Sequence, residues 1–260
     1  MKNTEKPIII GAVHLPYYGR NNPSRSIDEI EEYILTNVHV FYDNGIPKVY
    51  IQDENLNEGI AEPETIALMS SLGRLIRTEM PKIELGIIIQ SHDGTAPIAI
   101  AHACGASFVR IKVFSGAMLK SEGIRNGVGV EAVKYRTQIN SSVKIYADVH
   151  DREGFPMLDV PIANVAGWAA HTGADGLILT GKTYAQTLEY LNRVNAADIG
   201  KPLIVGGSVN SENIHEILTY ADGAVVSTSL MLEGEIPKSQ LHWDAEKVKK
   251  FAERVSEFHL

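Results

Sequence analysis

Ile83-Glu84-Leu85-Gly86-Ile87-Ile88-Ile89, then Pro97-Ile98-Ala99-Ile100-Ala101-His102-Ala103-Cys104, then Phe108-Val109-Arg110-Ile111-Lys112-Val113 read as one strand–helix–strand unit. The two outer runs are short and nearly continuous in apolar residues. Strands buried on both faces read this way, and such strands belong to parallel sheets covered by helices. The alanine-rich run between them is helical in character.

The same kind of strand run recurs at 8–13, 48–52, 143–149, 176–180, 202–205 and 224–227. Helical patterns stand between them. Ser26-Ile27-Asp28-Glu29 has the capping-box form and opens a helix to about residue 42. Pro63 suits the first position of a helix that runs to 77. Further helices are expected at 130–139, 162–171, 184–194, 211–219 and 244–258, the last with Val248, Phe251, Ala252 and Val255 on one face. Strand followed by helix, repeated eight times, implies right-handed crossovers and a parallel sheet. Eight such units close a barrel, and 260 residues suffice for one. An open doubly wound sheet would carry a Gly-x-Gly-x-x-Gly turn after its first strand, and Gly11-Ala12-Val13-His14 is not one. The expectation is a single (β/α)₈ TIM barrel spanning residues 1–260 as one domain.

Composition narrows the function classes. A 44% hydrophobic content is ample for a buried core. The formal net charge of -8 argues against a nucleic-acid binder, which presents a basic face. The one cysteine, Cys104, permits no intrachain disulfide and reads as a small core hydrophobe. The apolar run from Ile8 ends at His14, too short for a signal segment or a membrane span. A cytoplasmic location and a homo-oligomer are the corresponding expectations.

Barrel enzymes work at the C-terminal ends of their strands. His14 ends the first strand, and Asp53 follows the second. Arg110 and Lys112 stand two apart on the fourth and therefore share a face. They meet either an anionic substrate or acidic partners such as Asp53 and Asp148, or they fill the barrel with an ion-pair network. Asp148 and His150 share a parity at the end of the fifth strand. A carboxylate beside an imidazole suits acid/base work. With His14, the same groups could instead ligate a divalent metal, and spacing does not separate the two. No other cofactor is predicted.

The last strands carry a different signal. Gly206-Gly207-Ser208 follows the seventh and Ser227-Thr228-Ser229 the eighth, with Gly181 after the sixth. Glycines let backbone N–H groups approach an anion, hydroxyls add donors, and a following helix N-terminus adds positive potential. A small phosphorylated molecule is the expected ligand. The segment 114–129 is long for a strand-to-helix connection and carries Gly116, Gly123, Gly127 and Gly129 with Lys120 and Arg125. It reads as a lid, as a partly helical excursion, or as a subunit contact.

The chain resembles the BtpA family, which includes SgcQ-like proteins. The resemblance rests on Ile10-Gly11-Ala12-Val13-His14-Leu15-Pro16, on Pro63-Glu64-Thr65-Ile66-Ala67-Leu68-Met69 and on the run from Ala99 to Val113. It continues through Ser115-Gly116-Ala117, Ala147-Asp148-Val149, Thr180-Gly181 and Gly206-Gly207-Ser208-Val209. It implies a barrel of the phosphate-binding kind and assigns no catalytic residue. The family takes its name from a role in stabilising photosystem I in cyanobacteria. This chain departs from the family pattern in four places beside the expected site: Gln90-Ser91-His92-Asp93, Asp151-Arg152-Glu153, Gly207-Ser208, where the family commonly has Ser-Gly, and Met231, where the family often has lysine.

Residues and resemblance together lead to an enzyme acting on a sugar or nucleotide-sugar phosphate by isomerisation, aldol-type cleavage or hydrolysis. His14, Asp53, Asp148 and His150 are the acid/base candidates, and Arg110 and Lys112 would stabilise developing negative charge. The alternatives are a non-enzymatic assembly factor of the BtpA type and a metal-dependent hydrolase.

Overall fold

Eight apolar strand segments, each followed by a helix that covers its outer face, leave only one arrangement in which every strand finds two neighbours. The computed structural model, which describes residues 6–19, 21–55, 59–157, 159–233 and 242–259, has that arrangement. Strands β1 (Ile8–His14), β2 (Lys48–Gln52), β3 (Glu84–Ile88) and β4 (Phe108–Ile111) pair in parallel in that order. The barrel continues through β7 (Lys144–Asp148), β9 (Gly176–Leu179), β10 (Leu203–Val205) and β11 (Gly223–Val226), which closes on β1. The helices are α1 (Ile27–Asp43), α2 (Pro63–Glu79), α3 (Ala96–Cys104), α4 (Gly129–Gln138), α5 (Ile162–Thr172), α6 (Tyr184–Ala196), α7 (Ile214–Tyr220) and α8 (Ala245–Ser256). The Ser26–Glu29 capping box forms in both directions at the start of α1. Cys104 is buried, and burial pushes its thiol pKa up, as suits a packing residue. Among the described residues no helix is long and apolar enough to cross a membrane.

The barrel interior is a packed core. Ile10, Ala12, Tyr50, Ile88, Phe108, Tyr146, Ile178, Ile204 and Val225 form a cluster of their own inside the strands. The Phe108 and Tyr146 rings meet with centroids 5.1 Å apart, and the Lys48 ammonium lies over both. Two glycines make room for these rings. A Cβ at Gly86 would lie 2.2 Å from Phe108, and one at Gly176 would lie 2.8 Å from Tyr146. Inward-facing residues alternate along a strand, so the next inward position after Phe108 is Arg110, after Tyr146 Asp148, after Ile178 Thr180 and after Ile204 Gly206. The lining therefore turns polar one step above the apolar plug.

Two segments differ from the sequence expectation. Of the three readings of 114–129, the partly helical excursion does not hold ahead of α4: β5 (Ala117–Lys120) and β6 (Gly123–Asn126) form a hairpin, and β8 (Phe155–Pro156) adds a third antiparallel strand at the barrel mouth. The helix expected from 211 begins at Ile214, because the Asn210 side chain accepts from the backbone of Glu212 and Asn213 and holds those residues in a turn.

Gly86→Ala should destabilise the protein by about 1–3 kcal/mol, the usual cost of overpacking a filled core. Urea unfolding measures this. A variant as stable as the wild type would show that the Phe108 ring is not held in place.

Candidate functional site

A cavity of about 230 Å³ opens above the apolar plug at the C-terminal ends of the barrel strands. Its floor is an ion pair. Arg110 Nε donates to Asp148 Oδ1 at 2.9 Å and Nη2 to Oδ2 at 3.2 Å, while Nη1 donates to the Tyr50 hydroxyl at 3.2 Å. Both partners are buried, with side-chain exposures of 11% and 3%. Burial opposes the Arg110 charge, but Asp148 and Tyr50 outweigh it and hold the guanidinium above its ordinary pKa. Burial also pushes the Asp148 carboxyl up, against the pull of Arg110. A desolvated pair of this kind contributes little net stability. Its value here is a fixed array of charge and donors at the bottom of a cavity.

One wall carries ionisable groups. His150 Nδ1 lies 2.8 Å from the Thr180 carbonyl oxygen. A carbonyl only accepts, so the proton of the neutral ring sits on Nδ1 and Nε2 keeps its lone pair. The His14 ring stacks on Trp243 and meets Glu54 through Nδ1, and Gln52 donates to the same carboxylate oxygen at 2.7 Å. Lys112, just past the end of β4, donates to Gln90 Oε1 at 2.8 Å.

The opposite wall comes from the segments after β10 and β11: Gly206, Gly207, Ser208, Val209, Ser227 and Thr228. A Cβ at Gly206 would lie 2.3 Å from Thr180 Oγ1 and 3.1 Å from Arg110 Nη2, so glycine keeps that corner open. Ser208 adopts a left-handed backbone with φ of 61°. A short 3₁₀ turn, Thr228–Leu230, follows β11. A second cleft, of about 530 Å³, lies beside α5 and α6 and shares Asp148 and His150 with the first.

The cavity thus gathers His14, Arg110, Lys112, Asp148, His150, Gly206, Gly207, Ser208, Ser227 and Thr228. Three sequence candidates stand elsewhere. Gln52 faces the cavity, so Asp53 points the other way. It is fully buried, and its Oδ1 accepts from the Tyr18 hydroxyl and the Asn55 backbone. The Gly181 N–H donates to Thr187 Oγ1 and packs on the start of α6. Ser229 donates to the Val209 carbonyl and fastens the segments after β10 and β11 together. Ser227 lines the cavity, but its hydroxyl donates to the Ala12 carbonyl. The sequence alone leaves Tyr50 unmarked, and it places Gln52, Glu54 and Thr180 at strand ends and Arg152 beside the expected site without assigning any of them a role. Strand parity signals Tyr50, Gln52 and Thr180, whereas Arg152 sits in a turn that no periodicity reports. Among the described residues no three His, Cys, Asp or Glu side chains stand together as a metal-ligand set. Both Asp148 oxygens already accept from Arg110.

Burial pushes the Asp53 carboxyl up to about 6. A raised carboxyl pKa means the folded state holds its proton more tightly than the unfolded state. Stability then falls as pH rises from the ordinary value of 3.8 to about 6. Asp53→Asn should therefore be more stable than the wild type at pH 8, by about 1–3 kcal/mol, with the gap closing below about pH 4. Denaturant unfolding at the two pH values checks this. A pH-independent difference would contradict it.

The chain is 27% identical to the uncharacterized protein MJ1115 of Methanocaldococcus jannaschii, over 95% of this chain and 94% of that one. It is 30% identical to the photosystem I biogenesis protein BtpA of Synechocystis, over 66% of this chain and 60% of that one. Among solved structures it superposes on KGPDC from Streptococcus mutans with a TM-score of 0.60 at 13% identity, covering 98% and 99% of the two chains, which is a likeness of fold. The BtpA family pattern matches residues 4–257, and this chain belongs to the BtpA family.

Proposed function

We propose that the protein is an enzyme acting on a small phosphorylated metabolite of the sugar-phosphate or nucleotide-sugar-phosphate class. The observation that carries this reading is the opposition of two walls across one cavity. Glycines and hydroxyls from the segments after β10 and β11 face a histidine, a lysine and a buried guanidinium–carboxylate pair. The first wall suits a phosphate and the second suits proton transfer.

The chemistry follows from the protonation states. His150, with Nδ1–H held on a carbonyl, offers Nε2 as a general base. Arg110 and Lys112 are fixed cations that would stabilise the negative charge developing on a substrate oxygen when that proton leaves. Asp148 orients Arg110. Abstraction of a proton from the carbon beside a carbonyl, leading to isomerisation, or from the hydroxyl beta to it, with the C–C bond breaking to an enolate in aldol-type cleavage, uses every one of these groups. The wider cleft beyond His150 gives room for the rest of the substrate.

A second reading has its own observation. Leu119, Ile124 and Phe155 lie opposite one another in the mouth sheet and are exposed, a cross-strand apolar row on one face. Such a row would suit a protein partner, as an assembly factor related to BtpA would need.

A thermal-shift screen with inorganic phosphate and a panel of sugar phosphates separates the two readings. A ligand at a hundred times its dissociation constant should stabilise by about 2.7 kcal/mol. His150→Gln should keep that shift and lower turnover of the identified substrate about 10²–10⁴-fold, the usual worth of a general base. If no phosphorylated compound shifts the midpoint, the enzyme reading falls. Loss of a partner on Leu119→Ser with turnover absent throughout would favour the assembly reading.

A further inference from the structure

We infer that Arg152 is the side chain that grips the ligand's phosphate, and that the ligand is a phosphate monoester held between this guanidinium and the Gly206–Ser208 turn. The inference rests on the phosphate reading of the cavity above and names the cation and ester class that reading leaves open.

After β7 the chain passes through His150 and Asp151 into a tight turn, closed by the Gly154 N–H donating to the Asp151 carbonyl. Arg152 extends from this turn across the cavity mouth to the opposite wall. A Cβ added to Gly207 would lie 3.2 Å from Arg152 Nη1 and 3.6 Å from its Cζ. The guanidinium therefore lies against the backbone of the turn that follows β10, and glycine at 207 is what lets it approach.

The two acids that flank Arg152 in sequence are held by lysines. Asp151 accepts from Lys120 at 2.8 Å, and Glu153 lies 3.7 Å from Lys120 and 3.8 Å from Lys112. Arg110 is held by Asp148. Arg152 is exposed, lines the cavity, and has no ion pair or hydrogen bond among the described residues. It is a cation whose neighbouring acids are already occupied, aimed at a turn in which the Gly206 N–H donates to the Leu179 carbonyl and Gly207 and Ser208 supply the remaining backbone donors.

A separate feature points to a ligand at the same turn. Thr180 is only 5% exposed, and its Oγ1 has no hydrogen-bond partner. This hydroxyl lies against Gly206, where an added Cβ would come within 2.3 Å of it. A buried hydroxyl without a partner is costly, and an anion at the turn would accept from it. Thr180 and Arg152 thus lie against adjacent glycines of one turn.

The fork of a guanidinium binds two phosphate oxygens side by side, which an ammonium does not. A monoester has three non-bridging oxygens. Two can meet Arg152 while the third meets the turn and Thr180. A diester has only two, so binding the fork would leave the turn and Thr180 without an acceptor. Arg152 is a binding residue, and its loss should raise KM far more than it lowers kcat.

The experiment compares methyl phosphate and dimethyl phosphate on the full-length wild type, Arg152→Gln and Arg152→Lys, by thermal shift and calorimetry. The wild type should bind methyl phosphate saturably and dimethyl phosphate weakly. Arg152→Gln should weaken methyl phosphate binding by about 10- to 100-fold, the usual worth of hydrogen bonds to a charged group, and Arg152→Lys should fall between. Because Arg152 is exposed, the unliganded midpoint should not move. If Arg152→Gln binds methyl phosphate as well as the wild type does, the assignment of Arg152 is overturned while the phosphate reading stands. Equal binding of the two esters by the wild type overturns the monoester assignment. If the wild type binds neither ester, nor inorganic phosphate, both readings fall.

Discussion

The buried contact between Arg110 and Asp148 sets the level at which the barrel ceases to be a core and becomes a site. Below it, Phe108 and Tyr146 close the interior with apolar surface. Above it, every inward position is polar, small or titratable. A charge pair at that depth is costly to desolvate and is tolerable only because its geometry is bidentate and Tyr50 accepts a third hydrogen bond. Gly206 belongs to the same constraint, since any side chain there would strike Thr180 and crowd Arg110. The floor, the open corner beside it and the turn above it form one connected arrangement.

The fold was legible in the sequence because its signal is local and repeated. Continuous apolar runs, a capping box at Ser26 and eight strand–helix units lead to one closed topology. The 114–129 segment was less legible. Its hairpin depends on a third strand, Phe155–Pro156, some thirty residues away, and no local pattern reports that pairing. The site was legible where strand parity decides, at Arg110, Asp148 and His150. It was misleading at Asp53, where the more obvious carboxylate points into the wall and the neighbouring Glu54 meets His14. Arg152 was illegible because its role depends on a glycine 55 positions later in the chain.

The departures from the family pattern acquire physical roles. Gln90 accepts from Lys112, the His92 ring bonds to the Asn126 carbonyl of the mouth hairpin, and Asp93 accepts from the backbone N–H groups of Thr95 and Ala96 at the start of α3. Asp151 and Glu153 draw Lys120 and Lys112 toward the cavity and leave Arg152 to face the turn. At Met231 the side chain is apolar, but its carbonyl accepts from Lys247. Of these residues, Asp151, Arg152 and Glu153 line the cavity.

The central claim is that an anion binds at the turn after β10, facing the acid/base wall. The most direct measurement follows the backbone amide resonances of Gly206, Gly207, Ser208 and Thr228 by nuclear magnetic resonance during titration with inorganic phosphate. The account predicts saturable shifts centred on those four amides, with one common dissociation constant. Shifts that grow without saturation, or that centre on residues remote from the strand ends, would contradict it.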